Sequence, residues 1–425
     1  MGKLVRVVVF LVGLALLATP AAAARSKKPD EFRVATNRFW VNQAPAWTPD
    51  GKGIVYYKRV DAEPGQRGPH LFRARLDGAG ETCLTCGQPG SNQFAHYHPS
   101  GRWIMFHSNR GKTFQLFAPG GGGIGSDIYA MRPDGSQPVA LTKSPEGQDN
   151  FHAYFSPDGK RLAWTHINWA INEGGTGYWD VRVADFVETP DGPKLENVKV
   201  ILPPNGDFYE TQHWSPDSRG FLVTRSRDNA MNLELHFLNL RKSPPVLTRL
   251  TENPSWDEQA IFTPDGRKVI FMSTRDHPSN WESFAHVSRT VGAPTGFDHL
   301  LTAALFATMF NSPFIPPSTD LHELDLKTRK LRRLTRTGDE GWIIPEFSWD
   351  RKGKRLLWTE LRWPETIRAS APLDPVAEFE DVTGPENMSD IERAIRGLSA
   401  GRPAEASERR TRIGYYVKPR RKKRR

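Results

Sequence analysis

Short apolar runs separated by polar turns recur along most of the chain. Six runs of three or four apolar residues each follow a turn of the form Ser/Thr-Pro-Asp-Gly or a variant of it. The turns lie at 48–51, 98–101, 156–159, 215–218, 263–266 and 348–353. Proline sets φ at the first turn position, and Asp and Gly suit the later positions. Each copy therefore predicts a strand, a tight turn and a second strand.

The residues that flank the turns are also regular. An aromatic residue stands two positions before the proline, or its equivalent, in every copy: Trp47, Tyr97, Phe155, Trp214, Phe262 and Phe347. Four copies end in Leu-Thr, at 84–85, 141–142, 250–251 and 334–335, and 13 to 15 residues separate each threonine from the next proline position. Four strands per repeat and six repeats predict an all-β fold, a six-bladed β-propeller of four-stranded antiparallel blades.

These repeats define the expected domains. The propeller spans 32–385, and the segment 32–41 is expected to complete the last blade, because closure removes exposed sheet edges. An insertion at 278–318 separates the two hairpins of the fifth copy. Its apolar stretch, 299–310, is expected to pack over the blade edge, with a partner-binding lid as the alternative. Residues 386–425 form a C-terminal extension in which 413–417 has the pattern of a strand.

The first 24 residues have the layout of a cleavable signal peptide. Lys3 and Arg6 precede an apolar run at 7–18, which is followed by Pro20 and four alanines at 21–24. A membrane anchor is the alternative, but the run is shorter than a bilayer span. We therefore expect export to the periplasm or the medium, with cleavage after Ala24.

Several of these features resemble the TolB-type propeller repeat. The aromatic residue, the turn and the apolar strand are followed by Ser/Thr-x-Arg, as in Ser108-Asn109-Arg110, and later by Leu-Thr. The resemblance covers about residues 40–363. It implies a six-bladed propeller that binds other proteins in the Gram-negative envelope. TolB proteins carry an α/β domain ahead of the propeller, and only about twenty residues precede the first turn here after residue 24. We therefore expect that domain to be absent.

The charge of the chain is concentrated at one end. The 425 residues carry a net charge of +10, and the last seventeen hold ten basic residues and no acid. The rest of the chain is neutral, which argues against specific nucleic-acid binding by the propeller. We expect the tail to contact anionic lipid or polysaccharide, with a solvated tail as the alternative. The residues proposed for this contact are Arg420, Arg421, Lys422, Lys423, Arg424 and Arg425.

Candidate chemistry is limited to histidines in the first strands of the blades. Alternation places His96, His98, His152 and His213 opposite the aromatic residues, on the same side as Glu346. First strands surround the axis of a propeller, so these histidines are candidate ligands for a divalent metal near one mouth of the channel. Histidines that pack or line the channel are the alternative.

Some sugar lyases with a similar propeller hold a metal with His and Gln near the axis. This resemblance implies an alternative function, a metal-dependent enzyme acting on carbohydrate. The first expectation remains a monomeric, non-enzymatic scaffold that binds an envelope protein or another envelope ligand, with no catalytic residue and no cofactor.

The two cysteines, Cys83 and Cys86, have CxxC spacing at the end of a predicted strand. A redox motif needs a helix N-terminus, and haem attachment needs a histidine where Gly87 stands. In an exported protein this pair predicts a local disulfide.

Overall fold

The computed structural model describes residues 32–35, 43–60, 68–112, 116–118, 122–168, 178–226, 233–277, 318–344, 346–362 and 410–417. The expected signal peptide (1–24), most of the insertion (278–317) and the basic end of the tail (420–425) lie outside these residues. No helix in the described ranges has the length and hydrophobicity needed to cross a bilayer.

The described chain is almost entirely β-structure. In the N-terminal half of the chain the strands are β1 (Phe32–Ala35), β2 (Gln43–Trp47), β3 (Gly53–Val60), β4 (Gly68–Arg75), β5 (Thr82–Cys83), β6 (Asn92–Tyr97), β7 (Ile104–Ser108), β8 (Leu116–Ala118), β9 (Gly122–Ile124), β10 (Asp127–Met131), β11 (Val139–Ala140), β12 (Gln148–Phe155), β13 (Arg161–Asn168), β14 (Tyr178–Thr189) and β15 (Gly192–Leu202). The later strands are β16 (Phe208–Trp214), β17 (Gly220–Ser226), β18 (Glu234–Asn239), β19 (Val246–Arg249), β20 (Asp257–Phe262), β21 (Lys268–Ser273), β22 (Asp320–Asp325), β23 (Leu331–Arg333), β24 (Trp342–Ile343), β25 (Phe347–Trp349), β26 (Arg355–Arg362) and β27 (Arg410–Val417). A 3-10 turn, η1 (Thr337–Glu340), precedes β24.

Five sheets have four antiparallel strands each, and each contains one predicted turn. Their strand orders are β2-β3-β4-β5, β6-β7-β10-β11, β12-β13-β14-β15, β16-β17-β18-β19 and β20-β21-β22-β23. First strands of neighbouring sheets contact one another, as β2 does with β6, β12 with β16 and β16 with β20, which places them around a common axis. The predicted all-β propeller of four-stranded antiparallel blades is therefore confirmed for these five sheets, which we number in chain order.

The sheet that contains the sixth turn differs from the expected four-stranded blade. It has five strands, in the order β1-β27-β26-β24, with β25 also paired to β26. Two short strands, β24 and β25, thus occupy the position that the first strand has in the other sheets. The expected strand at 413–417 is found as β27, and the segment expected to complete the last blade supplies β1, which pairs with β27.

The six Pro-Asp-Gly-type turns lie on one face of the propeller, and each turn is next to the turn that follows it in the sequence. Neighbouring turns approach each other at Pro49–Gly101, His98–Gly159, Arg161–Ser218, Pro216–Gly266, Pro264–Gly353 and Arg355–Gly51. In the last of these approaches, Arg355 Nη2 donates to the Gly51 carbonyl at 2.6 Å. Because this bond joins the sixth turn to the first, the turns form a closed ring.

The polar residues that recur among the repeats form hydrogen bonds within the turns. In the first turn Thr48 Oγ1 donates to Asp50 Oδ1 at 2.6 Å, and the same carboxylate accepts the Lys52 N–H at 3.0 Å. The same hydroxyl-to-carboxylate bond recurs at Asp158, Asp217 and Asp265. These aspartates therefore cap the turns, as Asp does in tight turns generally.

The Leu-Thr and Ser-x-Arg residues have structural roles as well. Thr335 Oγ1 accepts the Leu321 N–H at 2.9 Å, which ties the end of one sheet to the start of its third strand. Thr85, Thr142 and Thr251 make the equivalent bond. Arg275 donates to Ser273 Oγ at 2.9 Å and to Asp257 Oδ2 at 2.6 Å, so it pins the ends of β20 and β21. Cys83 and Cys86 form a disulfide at the end of β5.

Candidate functional site

The first strands carry a bulge just before their aromatic residue. The pairing register shifts at Gln43/Ala46, Gln93/His96, Phe151/Tyr154, Thr211/Trp214 and Glu258/Ala260. Ala44, Phe94, His152 and Gln259 occupy the same repeat position, and each has a positive φ between 47° and 54°. Bulges redirect side chains and bend strands, and they are frequent next to functional sites. The simple alternation expected along these strands is therefore interrupted at the axis.

Three rings from three sheets meet at the axis. Tyr154 lies between His96 and His213, with ring centroids 5.1 Å and 4.2 Å away, and the two imidazoles are 6.0 Å apart. Each of these residues immediately precedes the aromatic residue of its copy. Tyr154 is buried, whereas His96 and His213 are partly exposed. Tyr154 is therefore the most enclosed of the three rings.

A second group of rings lies beside the first. Phe94 stacks on His107 and on His152, at centroid distances of 5.0 Å and 4.8 Å. His152 Nδ1 forms an ion pair with Glu210. His152 therefore connects the aromatic rings to a set of carboxyl groups.

The carboxyl groups come from three consecutive sheets. Glu210 lies on β16, Glu258 on β20 and Glu346 just before β25, and their exposed fractions are 4%, 8% and 4%. Glu210 and Glu258 are hydrogen-bonded to each other. Trp256 Nε1 donates to Glu258 Oε2 at 2.9 Å. Together with the rings, these carboxyls form what we call the axial cluster: His96, His107, His152, Tyr154, Glu210, His213, Glu258 and Glu346.

Burial shifts the ionisation of this cluster towards neutral forms. Loss of hydration raises the pKa of Glu210 to about 7. Burial and the Glu210 charge raise the pKa of Glu258 well above its usual range, and burial with both neighbouring charges does the same for Glu346. Burial lowers the pKa of His213 to about 3 and that of His96 well below its usual range. Desolvation always disfavours the charged form, so acids and bases shift in opposite directions.

Several buried atoms of the axial cluster lack hydrogen-bond partners among the described residues. They are the Tyr154 hydroxyl, Glu346 Oε1, Glu210 Oε2 and His96 Nε2. Buried polar atoms without partners are costly and uncommon in folded proteins. These four atoms are therefore exceptions to the hydrogen bonding expected of buried polar groups.

The structure gathers three of the four predicted histidines and separates the fourth. His96, His152 and His213 belong to the axial cluster. His98 lies in the second turn, where Nδ1 is 2.7 Å from Ser100 Oγ and Nε2 donates to the Gly159 carbonyl at 2.8 Å. The expectation that His98 faces the same side as His96 is wrong, because the strand ends at Tyr97 and the turn redirects the chain.

A different set of residues comes closest to a ready metal geometry in the described part of the chain. Ligand atoms of His277, Asp320 and Asp339 lie within 4.8 Å of one another, and the axial histidines form no such group of three. Arg333 Nη2 is 2.5 Å from an oxygen of Asp320 and 2.5 Å from one of Asp339. Because this guanidinium already neutralises both carboxylates, the group is an internal ion-pair network.

The sequence prediction missed Tyr154, Glu210 and Glu258. Each was visible once the repeats were aligned by position. Glu210 and Glu258 stand four residues before the aromatic residue of their copies, where Gln43 and Gln93 stand in the first two. A polar residue at that position in four copies was the available signal.

These features define a β-propeller whose axis holds imidazole, phenol and carboxyl groups.

No protein-family model matches the chain. An uncharacterized protein of Agrobacterium fabrum is 28% identical over 179 residues, which cover 42% of this chain and 53% of that protein. The dipeptidyl-peptidase 5 of Porphyromonas gingivalis is 26% identical over 348 residues, which cover 68% of this chain and 47% of that protein. The chain thus spans about half the length of the curated relatives it matches.

Among solved structures, TolB from Acinetobacter baumannii is similar to this chain. The TM-score is 0.46 at 15% identity, with 74% of this chain and 61% of that chain covered. The sheets themselves confirm the predicted propeller fold, and a TolB protein is among the solved structures to which the chain is similar.

One further pattern was missed in the sequence. Gly397-Leu398-Ser399-Ala400-Gly401 has the Gly-x-Ser-x-Gly spacing of a nucleophile elbow. A working elbow needs a strand before the serine and a helix after it, with His and Asp or Glu in reach. The pattern lies outside the described residues, so its serine is a target for a chemical test.

Proposed function

We propose that the chain is an exported, non-enzymatic propeller that binds an envelope protein or another envelope ligand on one face of the disc. One observation carries the proposal. The turns between first and second strands keep nearly constant length and form a closed ring, whereas the connections between second and third strands leave from the opposite face. These connections range from the seven residues 61–67 to the 47 residues 363–409.

Variable connections on a regular scaffold are where binding residues are concentrated in proteins generally. The recurring polar residues of the repeat support the same view, since they are bonded within their own sheets. We therefore assign binding to the face of the long connections, which we call the connection face, and a structural role to the turn face.

We infer that the five-stranded sheet serves as the sixth blade. Two bonds link it to its neighbours on both sides. Trp349 Nε1 donates to the Phe262 carbonyl of the fifth sheet at 3.0 Å, and Ser348 Oγ donates to the Pro45 carbonyl of the first at 2.8 Å. Strands β1 and β27 supply its outer part from both ends of the described chain, a closure that removes a free edge from the ring.

Export and the tail belong to the same proposal. The signal-peptide layout of residues 1–24 supports a periplasmic or secreted location. The ten basic residues of the tail would add a salt-sensitive attraction to anionic lipid or polysaccharide. A monomer is proposed because the closed ring completes itself within one chain.

The proposal is tested by a pulldown from cell envelopes with the mature chain lacking residues 409–425. The comparison uses two variants. In one, residues 278–317, which belong to the connection between β21 and β22, are replaced by a short Gly-Ser linker. In the other, the exposed turn-face residues Lys52 and Lys160 are changed to Glu. We expect a specific partner that is lost with the first variant and kept with the second. Loss with the turn-face variant alone would contradict the assignment of the face.

One observation favours a second candidate function. His96, His152 and His213 belong to one cluster at the axis, which is the setting in which the metal-dependent carbohydrate enzyme was expected. Metal analysis of purified protein tests this candidate. Stoichiometric zinc or manganese that is lost in His96→Ala, together with cleavage of an anionic polysaccharide, would establish it over the scaffold. His98→Ala is the matched control, because His98 lies away from the axis.

A further inference from the structure

We propose that the Cys83–Cys86 disulfide is a site of reversible thiol–disulfide exchange, at which an external thiol, with glutathione as the probe, reduces the bond while the propeller stays folded. The chain has no other cysteine, so this pair is the whole of its thiol chemistry. The proposal does not rest on the proposed function, since exchange requires only this disulfide and a thiol from outside the chain.

The first argument is that the disulfide does not hold the segment in which it lies. Leu84 and Thr85 stand between the two cysteines, and both are buried. The Leu84 N–H donates to the Leu71 carbonyl at 2.8 Å, and Thr85 Oγ1 accepts the Leu71 N–H at 2.9 Å. These two bonds fix the segment to β4, and neither involves a sulfur atom.

The other three Leu-Thr copies are attached in the same way without a disulfide. The N–H groups of Leu141, Leu250 and Leu334 donate to carbonyls of their third strands at 2.7 to 2.8 Å, and the threonine after each leucine accepts a backbone N–H from the same strand. The positions of Cys83 and Cys86 are taken by Ala140 and Lys143, by Arg249 and Glu252, and by Arg333 and Arg336. The disulfide is therefore additional to an attachment that three other sheets make without it.

The size and the location of the disulfide loop also favour exchange. The cysteines are three positions apart, and a disulfide stabilises a fold less when the loop that it closes is shorter. Cys86 is exposed, whereas Cys83 is half-buried and packs against the apolar cluster that contains Phe72, its cross-strand neighbour. Exposed disulfides are the labile ones in folded proteins, so this bond is open to a thiol from solvent.

Hydrogen bonding at the sulfurs sets the direction of attack. The Cys86 N–H donates to Cys83 Sγ at 2.9 Å. A hydrogen bond to a thiolate favours the charged form, and a thiol of lower pKa leaves faster. Cys83 is therefore the leaving sulfur, and Cys86 is the sulfur attacked. No helix begins within 84–91, so the pair lacks the feature that activates a catalytic CxxC motif and is a substrate of exchange.

The exchange takes two steps. In the first, a thiolate attacks Cys86 Sγ, a mixed disulfide forms, and the electron pair of the broken S–S bond leaves with Cys83 Sγ, which takes up a proton. In the second, another external thiolate attacks the external sulfur of the mixed disulfide and releases Cys86 as a thiolate, which is protonated in turn. The disulfide of the chain is thus reduced to two thiols, and two external thiols are oxidised to one disulfide.

The experiment uses the full-length chain in its oxidised form at neutral pH. Reduced glutathione is added, the reaction is quenched with iodoacetamide, and tandem mass spectrometry locates the two kinds of adduct. We expect an intermediate with glutathione on Cys86 and the alkyl group on Cys83. The rate of reduction should be the same with and without low, non-denaturing urea, because the folded protein reacts. Glutathione on Cys83, or a rate that rises with urea, would overturn the proposal.

Three variants complete the test. Cys83→Ser leaves Cys86 without a neighbouring thiol, so oxidised glutathione should form a lasting adduct, and failure to form it would show that Cys86 is closed to attack. Cys83→Ser and Cys86→Ser should each lower Tm by no more than a few degrees. Thr85→Val removes the acceptor of the Leu71 N–H and should lower Tm further. A larger fall in Tm on loss of the disulfide than in Thr85→Val would show that the disulfide holds the segment, against the proposal.

Discussion

Asp320 is a buried carboxylate of the fifth sheet that accepts hydrogen bonds from several side chains. It is fully buried at the start of β22, and it accepts hydrogen bonds from Arg333, His277 and Thr335. Asp320 and His277 also flank the segment 278–317, so their bond at 3.0 Å closes the base of that segment. We predict that Asp320→Asn destabilises the protein markedly, because the carboxamide has the same shape and lacks the charge.

The size of the destabilisation depends on the ion-pair partners that Arg333 keeps after the substitution. Removing one partner of a buried ion pair costs about 3 to 5 kcal/mol. Arg333 keeps Asp339 at 2.5 Å and Asp276 at 3.2 Å, so we expect the lower end, about 3 kcal/mol. Asp339→Asn is the control. Its side chain is 47% exposed, and exposed pairs contribute about 1 kcal/mol or less.

Urea denaturation at pH 7 measures both variants. The pH dependence supplies an independent check. Burial alone would raise the pKa of Asp320, but bonds from His277, Thr335 and Arg333 outweigh burial and lower it. A lowered carboxyl pKa gives stability that is complete above the unfolded value and is lost as the pH falls through the folded one. The difference in the free energy of unfolding between the wild type and Asp320→Asn should thus shrink as the pH falls below about 4. Equal destabilisation by Asp320→Asn and Asp339→Asn at pH 7 would refute the reasoning.

Three further predictions concern the axis, the turns and the C-terminal extension. Burial raises the pKa of Glu210 to about 7, so stability should fall by about 3 kcal/mol as the pH rises from about 4.5 to 7, and Glu210→Gln should flatten this fall in urea titrations. A slope unchanged by the substitution would contradict the assignment. His98→Ala removes the bond to the Gly159 carbonyl and the contact with Phe155, so it should cost about 2 kcal/mol without changing metal content. A change in bound metal would show that His98 is a ligand after all. A fluorophosphonate probe should not label the chain, and labelling abolished by Ser399→Ala would disprove the non-enzymatic proposal.

The parts of the fold that were predictable are those that repeat. The turn at 156–159 and the threonine at 335 each occur in several copies, and each has a local bonding role that can be inferred from one copy. Their partners lie within the same sheet, so the periodicity of the sequence contains the information needed. In the sixth sheet two short strands, β24 and β25, occupy the position of the first strand. This feature was not predictable from the repeats, because it occurs in one copy only.

The axial cluster was predictable only in part, because its contacts join different sheets. His96 and His213 were found from their position in the first strands, yet the bulges at 93/96 and 211/214 determine which neighbours they meet. His98 was misplaced for the same reason, since alternation was extended past the end of β6. A bulge changes the direction of one side chain without changing the apolar pattern around it, so the pattern does not reveal it.

The variation within the repeat points to the axis more directly than any single motif does. The position before the conserved aromatic residue holds Ala46, His96, Tyr154, His213, Ile261 and Glu346 in the six copies. A position that served only packing would hold similar apolar residues in each copy, as the neighbouring aromatic position does. Four of the six are polar, and the hydroxyl of Tyr154 and one oxygen of Glu346 have no partner in the described chain. Burying polar groups without partners costs stability, and a position that served only packing would avoid that cost.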